Sequence, residues 1–130
     1  MEIKAFASGS TGNSYYISDG ETALLLECGI TIRQLEIALK FNLSRICGCL
    51  VTHEHLDHSK CADKLTAQGV DVYASAGTLK AINLTSHRTH TVTALKQFIN
   101  LSRQTILKES LKYYLRILKN KQNKASHLLI

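Results

Sequence analysis

The residues whose types and spacing could do chemistry lie in Cys49-Leu50-Val51-Thr52-His53-Glu54-His55-Leu56-Asp57-His58, where an apolar run stops in three histidines and two carboxylates. Ile46 to Thr52 has the character of a short buried strand. His53 and His55 follow two positions apart, so in extended chain they project to the same side and reach one ion together. Asp57 and His58 come where Ser59 to Gln68 begins to read as a helix, and their side chains leave the backbone in another direction, as an adjacent second site requires. Neutral imidazoles with a carboxylate form a mixed nitrogen and oxygen donor set suited to zinc, iron or manganese. A lone histidine here would read as an ordinary polar loop residue. Three histidines and an aspartate within six positions at the end of a buried strand read as metal ligands. Of the intervening residues, Glu54 is expected to face outward and Leu56 to pack.

Thr52-His53-Glu54-His55-Leu56-Asp57-His58 resembles the T-H-x-H-x-D-H signature of the metallo-β-lactamase superfamily of dinuclear metallohydrolases. The resemblance implies that His53 and His55 hold one metal and Asp57 and His58 the other, with Asp57 also taking part in catalysis. It implies two Zn2+ sites, with Mn2+ or Fe as alternatives. Ser8-Gly9-Ser10-Thr11-Gly12-Asn13-Ser14, followed by Leu24-Leu25-Leu26-Glu27-Cys28-Gly29, is similar to one bacterial and phage branch of the superfamily that includes DNA-processing nucleases. Most of the superfamily has Asp where this chain has Glu27. That residue is expected to orient the metal-binding loop from behind, work a longer carboxylate can also do. A solvent-facing Glu closing a strand is the competing reading. The function implied is metal-dependent hydrolysis, of a phosphodiester by ancestry, with nucleic acid as substrate.

The elements that must position these residues follow from local pattern. Glu2 to Ala7 alternates like a strand, and the small polar run Ser8 to Ser14 suits a tight turn. That run lacks the lysine of a phosphate-binding P-loop and precedes a strand rather than a helix. Tyr15 to Ser18 and Thr22 to Leu26 flank Asp19-Gly20, a two-residue hairpin signal. Thr31-Ile32-Arg33-Gln34 is a capping box, with Ile32, Leu35 and Leu39 on one face of a helix of roughly ten residues. Cys61, Ala62 and Leu65 form an apolar stripe on a second helix that Gly69 ends. Val70 to Ala74 reads as a strand, and Ser75 as the N-cap of a third helix carrying Ala76, Leu79 and Ile82 inward. His87 and His90 read as members of a polar surface loop. Two βα repeats beside an antiparallel meander make an α/β (α+β) layer, the N-terminal half of the αββα sandwich that the resemblance implies.

At 130 residues without a proline, the chain is one domain at most. No signal peptide or membrane span is visible, so a cytoplasmic location is expected. Cys28, Cys47, Cys49 and Cys61 read as buried, reduced thiols, since Cys47-x-Cys49 lacks a zinc-knuckle spacer and sits in a strand. Up to Leu95 there are eight basic residues against nine acidic ones, and from Lys96 onward eight basic residues against Glu109 alone. Leu107, Leu111, Tyr114 and Leu118 fall at helical spacing in that basic segment. The expected organisation is a partial metallo-β-lactamase domain over residues 1–101, truncated there, and a basic amphipathic helical tail over 102–130. The later ligands that the resemblance implies are a third histidine, a bridging aspartate and a final histidine; no Asp occurs after Asp71, His87 and His90 are not given the role, and His127 is the only late histidine. The alternative function is therefore an inactive remnant or binding module that contacts nucleic acid or a protein through its tail.

Overall fold

In the computed structural model, residues 1–92 are described. The expected boundary at Leu101, the basic helix over 102–130 and His127 lie outside them. Six strands form one sheet in the order β1-β2-β3-β4-β5-β6: β1 Glu2–Ala7, β2 Ser14–Ser18, β3 Ala23–Leu26, β4 Ile46–Leu50, β5 Val72–Ala74 and β6 Thr89–Thr91. The first three pair antiparallel, while β3, β4, β5 and β6 run parallel. The meander followed by crossovers is the mixed layer expected from the pattern. Among the described residues no helix is long and apolar enough to cross a membrane.

Period-2 alternation divides the sheet into two faces. Ala23, Leu25, Cys49, Val51, Val72 and Ala74 join the helix-side core with Leu35 and Leu65. Ile17, Leu24, Leu26 and Leu50, outside that cluster, are also almost wholly buried. Strand β3 is thus apolar at every position because both of its faces are covered, as suits a strand with a parallel neighbour.

Helix α1 covers Ile32–Ala38, shorter than the ten residues expected, and its capping box is formed as read: the Gln34 amide donates to the Thr31 hydroxyl at 3.2 Å and the Thr31 amide to Gln34 Oε1 at 3.0 Å. The single helix expected over 59–68 is two short ones, α2 Leu56–Ser59 and α3 Ala62–Ala67. Cys61 (φ −109°, ψ 20°) interrupts them, and its amide donates to the Cys28 carbonyl instead of continuing a helix. Helix α4, Ala76–Ala81, starts at Ser75 as expected, the Thr78 amide donating to the Ser75 hydroxyl.

Several local expectations are corrected. Leu56 is 67% exposed rather than packed, because α2 begins at Leu56 itself and turns that face outward. Cys47 is exposed, and only Cys28, Cys49 and Cys61 are buried; all four are free thiols. His90 is in β6, not a loop, paired opposite Tyr73 with their rings stacked at 4.8 Å. The β2–β3 connection is a four-residue turn, Asp19 to Thr22, with Ser18 paired to Ala23.

In that turn Asp19 Oδ1 accepts from the Glu21 and Thr22 amides at 2.9 and 2.8 Å. The Thr22 amide, then the Glu21 amide, hold the Asp19 carboxyl below its ordinary range. A depressed folded-state pKa adds stability above the unfolded value, about 3.9, and loses it as pH falls through the folded value. Asp19→Asn should therefore lower the melting temperature slightly at neutral pH and flatten its decline below about pH 4. Parallel melting curves for variant and parent down to pH 2 would contradict this.

Candidate metal centre

The site forms where β3 and β4 end side by side. Glu27, the residue after β3, adopts a left-handed conformation at φ 63°, and its amide donates to the Leu50 carbonyl at 2.8 Å, prolonging the parallel pairing. The residue is 1% exposed, which excludes the solvent-facing reading. A carboxylate so buried must be satisfied by donors. Thr52, leaving β4, supplies two of them: its amide donates to Oε2 at 3.2 Å and its hydroxyl to Oε1.

The Thr52 oxygen also lies 2.9 Å from Nδ1 of His53. Its only hydroxyl proton is given to Glu27, so it accepts here, and His53 carries its proton on Nδ1. Nε2 is then the ring's lone-pair nitrogen. Carboxylate, hydroxyl and imidazole form a chain that selects a tautomer, the support metal-ligating histidines require. Nδ1 of His58 lies 3.4 Å from Oε1 of Glu27, within ion-pair reach but not aligned as a hydrogen bond. On its other side, Nε2 of His58 is 3.4 Å from Oδ2 of Asp57.

Donor atoms of Glu27, His53 and His58 all lie within 4.8 Å of one another. The His53 and His58 rings are 4.0 Å apart, and the His55 ring meets His53 edge-on at 4.7 Å. Burial, reinforced by His58, holds His53 below the ordinary histidine range, whereas the Glu27 contact pushes His58 up against the effect of burial. Crowded imidazoles of which one is held neutral, backed by a buried carboxylate, suit a divalent cation of the zinc, manganese or iron class. The structure therefore gathers His53, His58 and Glu27 most closely, sets Asp57 beside His58, and leaves His55 exposed at the mouth of the group. His87 and His90 are not part of it; His90 Nε2 is 3.4 Å from Asp71 Oδ2.

Sequence reasoning missed the part played by the loop before β2. Its Asn13 amide nitrogen lies 3.3 Å from Asp57 Oδ2, 3.2 Å from the Asp57 carbonyl and 3.4 Å from His58 Nε2, and its backbone amide donates to the same carbonyl at 2.8 Å. Asn13 is itself held by reciprocal bonds with Gly9. Gly29 completes the junction: a Cβ there would sit 1.6 Å from the Asp57 carbonyl oxygen and 2.6 Å from the His58 nitrogen. The lack of a P-loop lysine and the small polar residues pointed to a turn, and nothing local shows what the turn rests against.

A sequence profile described as "Metallo-beta-lactamase superfamily" matches residues 7–96. The chain belongs to the metallo-β-lactamase superfamily. Among curated members, it is 36% identical over 86 residues to "Exodeoxyribonuclease YycJ" of Bacillus anthracis, covering 63% of this chain and 33% of that one. It is 31% identical over 87 residues to "Exodeoxyribonuclease WalJ" of Streptococcus pneumoniae, covering 63% and 32%. The chain thus spans about a third of the length of these relatives. Among solved structures, a metallo-β-lactamase from Pontibacter korlensis superposes with a TM-score of 0.53 at 18% identity over 72% of this chain and 54% of that one. The chemotaxis sensor ODP, solved as a peroxy diiron species, superposes with a TM-score of 0.57 at 15% identity over 69% and 40%. At these identities the superpositions establish the metallo-β-lactamase fold.

Two substitutions test this junction. Gly29→Ala should destabilise the protein by about 1–3 kcal/mol, since backbone must move to admit the methyl group. Asn13→Ala should leave the circular dichroism spectrum intact and weaken zinc binding by roughly 10–100-fold in calorimetric titration. Parent-like affinity in Asn13→Ala would show that the loop does not support the site.

Proposed function

We propose that the chain carries the metal-binding half of a phosphodiester hydrolase acting on nucleic acid in the cytoplasm. The observation that carries this reading is the convergence of His53, His58 and buried Glu27 at the ends of two parallel strands. The exodeoxyribonuclease names of the curated relatives support the substrate class. His53 and His55 would hold one divalent ion and Asp57 and His58 a second, with Zn2+ as the first choice and Mn2+ or Fe as alternatives. Ions held here would supply Lewis-acid polarisation of a phosphoryl oxygen.

The protein's own groups do the rest. Thr52 and Glu27 keep the His53 proton on Nδ1. Asn13 holds the Asp57 backbone and side chain in place, so that this carboxylate stays beside Nε2 of His58. Asp57 is the residue of the set we assign to catalysis as well as to metal binding.

A second reading is favoured by one observation: among the described residues, the histidines that follow the motif, His87 and His90, stand apart from the site. In that reading the chain binds metal and nucleic acid without turnover.

Elemental analysis of the purified full chain should find zinc, manganese or iron at one or more equivalents, sharply reduced in His55→Ala. Equal, near-zero metal in both would overturn metal binding and the proposal with it. With metal retained, hydrolysis of bis(p-nitrophenyl) phosphate decides between the readings. A rate abolished by EDTA and lowered at least tenfold in His58→Ala supports the hydrolase, whereas no metal-dependent rate supports the binding module.

A further inference from the structure

A second feature lies at the opposite end of β4, roughly 20 Å along the strand from His53. A groove of about 270 Å³ opens between β1, β2, the end of α1 and the start of β4, lined by Lys4, Lys40, Arg45, Phe6, Tyr16 and Asn42 among others. Among the described residues, three cations line it and no carboxylate does. Lys4 shares its charge with Glu2 at 2.9 Å, and Arg45 spends one guanidinium nitrogen on the Gly20 carbonyl at 3.3 Å. The floor is aromatic: Phe6 and Tyr16 stack at 5.5 Å and 29°, anchored against the core. The larger cleft, of about 400 Å³ beside α2, differs in chemistry, since Glu54 and Asp63 flank its Lys60.

The backbone at the groove's rim carries an independent sign. Lys40 and Phe41 are consecutive left-handed residues, at φ 52° and 58°, where a helix end ordinarily uses glycine. A left-handed aromatic residue is an outlier, and such outliers cluster at functional positions. It persists because the Lys40 amide donates to the Ile37 carbonyl at 3.0 Å and the Phe41 amide to the Glu36 carbonyl at 2.7 Å. The result is a lysine on the groove and, next to it in the chain, a phenylalanine that is 69% exposed.

We infer that this groove binds single-stranded nucleic acid, with Lys40 and Arg45 on successive phosphates and Phe41 as a stacking surface for an unpaired base. Cations that track a backbone, set beside aromatic rings, are what single strands require, because every base offers a flat face and a duplex hides it. Charge alone would favour a duplex, with its denser phosphates. The groove is separate from the metal centre, so binding here needs neither metal nor turnover and stands or falls apart from the hydrolase reading.

The test is fluorescence anisotropy of the full chain in EDTA, with labelled short oligodeoxythymidine and a duplex of equal length. The basic segment from Lys96 onward is common to every variant, so differences between variants report the groove. Single strand should bind more tightly than duplex. Lys40→Ala with Arg45→Ala should flatten the log K against log salt plot by about 1.4, two contacts at about 0.7 each. Phe41→Ala should weaken single-strand binding about tenfold and leave duplex binding unchanged. Phe41→Asn, which tolerates the left-handed turn, should repeat that loss. Parent-like binding in all variants, equal affinity for duplex, or displacement of the oligonucleotide by polyglutamate at equal charge concentration would each overturn the inference.

Discussion

The structure turns on one buried carboxylate. Glu27 is taken out of water at the end of β3, and the cost of doing so is offset only by donors that must be correctly placed. Those donors are the amide and hydroxyl of Thr52, which reach it because β3 and β4 run parallel and end together. Left-handed backbone at Glu27 is the local cost of this arrangement, and the bond from its amide to the Leu50 carbonyl helps to hold it. From that anchor the order passes outward, through the Thr52 oxygen to His53 and through Oε1 to His58.

Packing gives the anchor its precision. The loop from Ser8 to Ser14, the turn from Glu27 to Ile30 and the segment from Thr52 to Ser59 meet backbone to backbone. Asn13 donates to the Asp57 carbonyl, the Gly29 amide donates to the Asn13 carbonyl, and the Cys28 amide donates to the His58 carbonyl. Three segments cross-linked in this way have few ways to move independently, and a donor set held without slack is what a metal site requires. The absence of a side chain at Gly29 is a condition of that contact.

Much of this was legible from local pattern. Histidines two apart after an apolar run, a capping box at Thr31 and a βα alternation are short-range signals, because each arises from residues within a turn or a strand of one another. What escaped depends on distant partners. Asn13 meets Asp57 across 44 positions. The break at Cys61 comes from an amide claimed by Cys28, not from any helix-breaking residue. His90 reads as a polar loop residue until β5 is placed beside it, and Leu56 reads as core until α2 is seen to start with that face in solvent. The wider fold was recognisable through the Thr52 to His58 motif and Glu27 was legible as a support from behind, but the Thr52 relay to His53 and the Asn13 contact with Asp57 were not.

The account's central claim is that Glu27 organises the metal donors from behind, and zinc titration of Glu27→Gln by calorimetry tests it most directly. Glutamine keeps the volume and removes the charge, and its amide nitrogen can donate to the Thr52 hydroxyl oxygen once that hydroxyl turns its proton away, so the fold should survive. The account predicts zinc affinity reduced by roughly 10–100-fold with the melting temperature unchanged or raised. Parent-like affinity in a folded Glu27→Gln protein would contradict it.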